Sequence, residues 1–77
     1  MINRVLNILQ SIRADVDFES EKQLIDGGIL DSFDIIEIVS TFNDAFDIEI
    51  DVEELLPENF NTVEAMQQLI ERLQNED

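Results

Sequence analysis

The sequence predicts an all-α fold: a small bundle of three main helices and one short extra helix, with a long loop between the first two main helices. Three observations carry that expectation. Apolar residues recur at helical spacing in three separate stretches, two of those stretches open on residues that cap helices well, and the single stretch that alternates like a strand has no second one to pair with. The 77 residues make one small domain, and such a chain buries only about 60% or slightly more of the surface it exposes when unfolded. That is enough for a core but not for a deep catalytic cavity.

The first helix is expected over about residues 2–14. Ile2, Val5, Leu6, Leu9 and Ile12 share one face, opposed by Asn3, Arg4, Asn7, Gln10, Ser11 and Arg13. Over residues 15–26 the period is lost and charge gathers, with Phe18, Leu24 and Ile25 as the anchors that hold a long loop on the core. Gly27 and Gly28 then supply the last bend before the next helix.

That second helix, residues 32–46, is the most regular element. Asp31 is a good N-cap, and Leu30 and Ile35 take the positions of a hydrophobic staple. Ile35, Ile36, Ile38, Val39, Phe42 and Phe46 form a broad inward stripe, with Asp34, Glu37, Thr41 and Asp44 on the outer face. Phe33 belongs to neither set: it either packs on the loop or offers a contact to a visiting protein. Residues 47–52 read as an extended connector with Ile48 and Ile50 turned inward. Residues 53–56 wind one turn, and Pro57 suits the first position of a short helix over 57–60. Asn61 or Thr62 then caps a last helix over 62–74, whose buried stripe is Val63, Met66, Leu69, Ile70 and Leu73, with residues 74–77 fraying.

The charge is as uneven as it is large. The net charge is −15, and residues 23–71 hold thirteen acidic side chains and no Lys or Arg, while Arg4, Arg13, Lys22 and Arg72 lie outside that span. Such a block repels phosphate backbones and anionic headgroups, so neither nucleic acid nor membrane is an expected partner. It steers basic protein surfaces toward the chain. The absence of cysteine excludes a disulfide scaffold or thiolate metal site and fits a reducing compartment. Asn3, Arg4 and Asn7 interrupt any signal-peptide core, and no segment is long enough to span a membrane, so a cytoplasmic protein is expected.

Acidic loops raise the question of calcium. Asp15, Asp17, Glu19 and Asp26 fit positions 1, 3, 5 and 12 of one loop window, and Asp47, Glu49, Asp51 and Glu58 those of another. Ser20 and Val52 stand where the sharp turn needs glycine, so no metal site is expected. Nor do outward-facing carboxylates offer the cleft that a general acid and base require.

One hydroxyl is conspicuously placed. Ser32 is the first residue of the second helix, directed outward beside unpaired amides, while Ile29 and Leu30 anchor the approach beneath it. A serine oxygen becomes a nucleophile only beside an activating base. The chain has no histidine or cysteine and a single lysine, Lys22. If Ser32 takes part in chemistry it is the group acted upon, with the machinery brought by another protein; taken alone, a serine at a helix start needs no such role.

The run Gly28-Ile29-Leu30-Asp31-Ser32-Phe33, followed by an acidic amphipathic helix, resembles the phosphopantetheine attachment motif of acyl and peptidyl carrier proteins. The likeness continues through residues 46–50 and 57–63, covering about residues 24–73 and, more loosely, the first helix. It implies an acyl-carrier-protein-like fold, with residues 1–77 as a single carrier domain that is not itself an enzyme. A separate Mg²⁺-dependent phosphopantetheinyl transferase would move 4′-phosphopantetheine from coenzyme A onto Ser32. The arm's thiol would then hold an acyl or aminoacyl group as a thioester. Helix two would be the recognition helix, with Asp31, Asp34, Glu37 and Asp44 meeting Arg and Lys of the transferase, of an acyl- or aminoacyl-activating ligase and of condensing or transfer enzymes, and Phe33 and Ser40 at apolar contacts. Fatty acid carriers usually have leucine after the serine. Phe33, with the segment from Pro57 to Val63, is more similar to D-alanyl and other free-standing aminoacyl carriers, and a monomer is expected. Two alternatives stay open: an acidic interaction module without a prosthetic group, and a fatty acid or polyketide carrier.

Overall fold

Helix α1 (Ile2–Ile12), α2 (Ser32–Phe46), α3 (Pro57–Phe60) and α4 (Val63–Gln74) follow in that order, with one 3-10 turn at Val52–Glu54. The computed structural model describes residues 2–75. Among the described residues there is no strand, so the all-α expectation holds. The expected fraying of Glu76 and Asp77 lies outside the described residues, as does the side chain of Ile2.

Helix α1 stops at Ile12 instead of continuing to Ala14. The Arg13 N–H still reaches the Leu9 carbonyl at 2.9 Å, but the chain then turns, with the Val16 N–H donating to the Arg13 carbonyl at 3.3 Å. The loop that follows is held down by more anchors than the expected three: Val16 and Leu30 are buried with Phe18 and Leu24, while Ile25 and Ile29 are half-buried.

Helix α2 ends by reversing the chain around Asn43. Asp47 takes a left-handed conformation, φ 54°, which lets its N–H return to the Asn43 carbonyl. The Ile50 N–H then donates to the Asn43 side-chain oxygen at 3.0 Å, leaving Ile50 buried. On the facing helix, Arg4 donates to the Ala45 carbonyl at 2.7 Å and lies 4.8 Å over the Phe46 ring. A cation there complements the C-terminal end of the α2 dipole. Helix α4 is capped by Thr62, whose hydroxyl accepts from the Ala65 N–H at 3.0 Å.

Helix α1 packs on both α2 and α4, and α3 packs on α4. Phe18 from the loop, Phe42 from α2 and Phe60 from α3 are each no more than 1% exposed, and burying such a ring is worth roughly 1.5–3 kcal/mol. One core therefore binds loop and helices together. Among the described residues no polar or charged side chain is buried. The shortest dimension is 19 Å, about two helix diameters, so each main helix keeps a face in solvent.

Candidate functional site

The approach to Ser32 is a closed loop of hydrogen bonds. The Gly27 N–H donates to the Gln23 carbonyl at 2.7 Å, Gly28 to Ile25 at 3.0 Å, and Leu30 to Leu24 at 2.9 Å. Both glycines are required. A Cβ on Gly27 would stand 2.6 Å from the Gln23 carbonyl oxygen, and Gly28 has φ +74°. The loop is tied to the far side of the molecule by Asn61, which sits between α3 and α4. Its side-chain oxygen accepts from the N–H groups of Ile25 and Asp26, each at 3.0 Å, and its amide donates to the Asp26 carboxylate at 2.9 Å. Its carbonyl also accepts from Leu24 at 3.1 Å.

Asp31 caps α2 as expected and does so reciprocally. Its carboxylate accepts from the Asp34 N–H at 2.9 Å, and the Asp34 carboxylate accepts from the Asp31 N–H at 3.2 Å. The Asp34 carboxylate also takes a 2.6 Å hydrogen bond from Arg13. The same guanidinium donates to the Ile29 carbonyl at 3.2 Å and bridges both oxygens of Asp15 at 3.0 and 2.9 Å. Asp34 is thus half-buried and paired, and the expectation that it stands on the outer face is corrected.

The other partner-facing candidates, Asp31, Phe33, Glu37, Ser40 and Asp44, are exposed, as is Ser32 itself. Phe33 is 83% exposed, which decides between its two readings in favour of an uncovered ring. The inward stripe needs a second correction, because Ile36 is 65% exposed. Successive helical residues are turned by about 100°. The buried Ile38, Phe42 and Phe46 define one direction, from which Ile36 falls to one side and Asp34 to the other. The Arg13 pair closes the Asp34 side, and nothing comparable covers Ile36. Its signal was legible in the angle, though not in the list of apolar residues.

Electrostatically the site holds an acidic rim around Ser32, in a chain with no histidine or cysteine. Hydrogen bonding to Asp15, then to Asp34, raises the Arg13 pKa further above its ordinary value, and Asp15 is lowered chiefly by its hydrogen bonds from Arg13. A guanidinium held so firmly in its charged form accepts no proton. Lys22 is drawn to Glu64 on α4, at 3.4 Å. Among the described residues no group of three or more His, Cys, Asp or Glu is gathered as a cation site. The joint presents an exposed serine on the first turn of α2, where helix amides and the dipole favour an anion. Arg13 and Asn61 were missed in the sequence. In the sequence Arg13 reads only as a cation in the last turn of the first helix, and Asn61 only as a candidate cap.

The family model described as the phosphopantetheine attachment site matches residues 1–70. The chain belongs to that family. It is an acyl or aminoacyl carrier, and its prosthetic group is a covalently attached 4′-phosphopantetheine. The carrier is similar to aminoacyl carrier protein 2 of Bradyrhizobium diazoefficiens, at 33% identity over 72 residues, covering 88% of this chain and 80% of the relative. It is also similar to the D-alanyl carrier proteins of Streptococcus uberis and of Streptococcus pyogenes serotype M5, each at 31% identity over 61 residues, covering 79% of this chain and 77% of theirs. No solved structure matches. Carriers of this family are in general not catalysts. No helix among the described residues is long and apolar enough to cross a membrane.

Proposed function

We propose that Ser32 is the attachment point and that the protein is an aminoacyl carrier. The observation that carries the first part is an exposed serine at the first position of a capped helix, approached by a loop that Asn61 and the two glycines hold in one shape. A phosphopantetheinyl transferase supplies the base and Mg²⁺ that the chain lacks. The Ser32 oxygen gives its proton to that base and forms its bond to phosphorus as the pyrophosphate linkage of coenzyme A breaks and adenosine 3′,5′-bisphosphate leaves. When bound, the group supplies the thiol on which cargo is held as a thioester.

The names of the relatives and Phe33 after the serine support an aminoacyl cargo, loaded by an adenylating ligase. The apolar cavity below the joint, between Ile25, Ile35, Leu55, Leu56, Pro57 and Phe60, supports it too. Its volume is about 100 Å³, below the roughly 150 Å³ of a cavity that takes a single benzene, so a long acyl chain would find no compartment there. Asp31, Glu37 and Asp44 are the exposed acids that meet basic partners, and Phe33 and Ile36 the apolar contacts, with Ser40 beside them. Asp34 serves the helix start instead. The carrier works as a monomer in the cytoplasm, beside its coenzyme A donor.

Intact-mass measurement after incubation with coenzyme A and a broad-specificity transferase tests the attachment. The protein is expected to gain one arm and Ser32→Ala none. A gain that survives Ser32→Ala would overturn the assignment.

A further inference from the structure

The Arg13 guanidinium touches both sides of the proposed attachment residue without touching it. It donates to the Ile29 carbonyl at 3.2 Å on the loop side and to the Asp34 carboxylate at 2.6 Å on the helix side. Asp15 fixes the guanidinium from behind through two further hydrogen bonds at 3.0 and 2.9 Å. Asp34 is also the residue whose carboxylate receives the Asp31 N–H, so the capping box that starts α2 and the Arg13 contact share one carboxylate oxygen.

We propose that Arg13 is a positioning residue for phosphopantetheine transfer: it clasps the loop to the first turn of α2 and so holds Ser32 in the arrangement a transferase binds. The inference rests on the reading of Ser32 as the attachment residue. The clasp needs a planar fork, because one side chain must serve two carboxylates and a carbonyl at once, which arginine does and the point charge of lysine does not. With the clasp open, Ser32 occupies the competent arrangement only part of the time. The apparent affinity of the transferase for the carrier then falls by that fraction, while the chemistry of the bound carrier is unchanged.

The direction of the effect separates the clasp from simple electrostatics. Arg13→Gln removes a positive charge from an already acidic protein and leaves Asp34 unpaired, which by itself strengthens attraction to a basic transferase. Loss of the clasp acts the opposite way.

The experiment measures transfer from coenzyme A by a purified broad-specificity transferase at varied carrier concentration, with amide hydrogen exchange on the same proteins. Arg13→Gln is expected to raise KM for the carrier about five- to tenfold with kcat within about twofold, and Arg13→Lys to fall between. Exchange should accelerate over residues 29–35 while the amides of Phe42 and Leu69 stay protected. An unchanged or lower KM, even with a reduced melting temperature, would overturn the proposal and leave Arg13 a purely structural residue. If the unsubstituted carrier gains no mass, the Ser32 reading is what fails, and exchange still decides whether Arg13 orders this joint. Should Arg13→Gln not fold, Arg13→Lys supports the clasp by faster exchange confined to 29–35 and refutes it by unchanged exchange there.

Discussion

Asn61 shows how much of this joint hangs on single side chains. Its oxygen satisfies two backbone N–H groups of the loop, and its amide reaches the Asp26 carboxylate, so one residue between α3 and α4 shapes the bend ahead of Ser32. The Ile25 N–H is part-buried, and leaving such a donor unsatisfied costs about 1–3 kcal/mol. Asn61→Ala is therefore expected to lower stability by about that amount in denaturant titration, with slower modification of Ser32. Asn61→Asp should be worse than a neutral isostere, since a second carboxylate replaces a donor opposite Asp26. The sequence offered Asn61 and Thr62 as candidates for the α4 cap, with Glu64 three residues after Asn61 as in a capping box. Thr62 takes the role because Asn61 is drawn to a loop 35 positions away, a partner that no local pattern reveals.

At the scale of the element, α2 is two-faced. Ile38, Phe42 and Phe46 bury one side, while Phe33, Ile36, Glu37, Ser40 and Asp44 stand on the other with Ser32 at the head. Exposed ion pairs are individually worth only about 0–1 kcal/mol, so complexes formed by this face should be transient and sensitive to salt, as a shuttle requires. Reversing one charge at the centre of the face tests it. Glu37→Lys should slow modification several-fold at low ionic strength, with the difference shrinking as salt is raised and the circular dichroism spectrum unchanged. Equal rates at low salt would remove the electrostatic account. The boundaries of α2 were legible because cap, staple positions and period agree. Which apolar residue stays uncovered was not, since that depends on which neighbours arrive at each flank.

For the molecule as a whole, charge sets the terms. Nineteen Asp and Glu side chains face only four Lys and Arg, a net charge of −15, so repulsion among acids outweighs the ion pairs that salt would also weaken. Moving from about 10 mM to 150 mM ionic strength shortens the Debye length from about 30 Å to 8 Å, and the melting temperature is expected to rise. Acid acts with a definite sign through three carboxylates. Arg13 lowers Asp15, Arg72 lowers Glu54, and Glu64 is lowered by its own backbone N–H and then by Lys22. The unfolded chain takes up these protons first. The stabilisation they bring is complete above the ordinary carboxylate range and is lost as pH falls through the lower folded values. Melting temperature should thus decline below about pH 4, and Glu54→Gln should flatten that decline in scanning calorimetry.

The helical periods, the cap at Asp31, the glycine bend and the isolated hydroxyl are local features, and the sequence alone determined the bundle and pointed to Ser32 through them. The tertiary structure decided the rest: Asp34 turned to Arg13, Asn61 turned to the loop, Lys22 paired with Glu64, and Ile36 left in solvent. Propensity and spacing act over a few residues. The partner of a surface side chain is chosen by whatever the chain folds beside it, and that choice is made only once the core has closed.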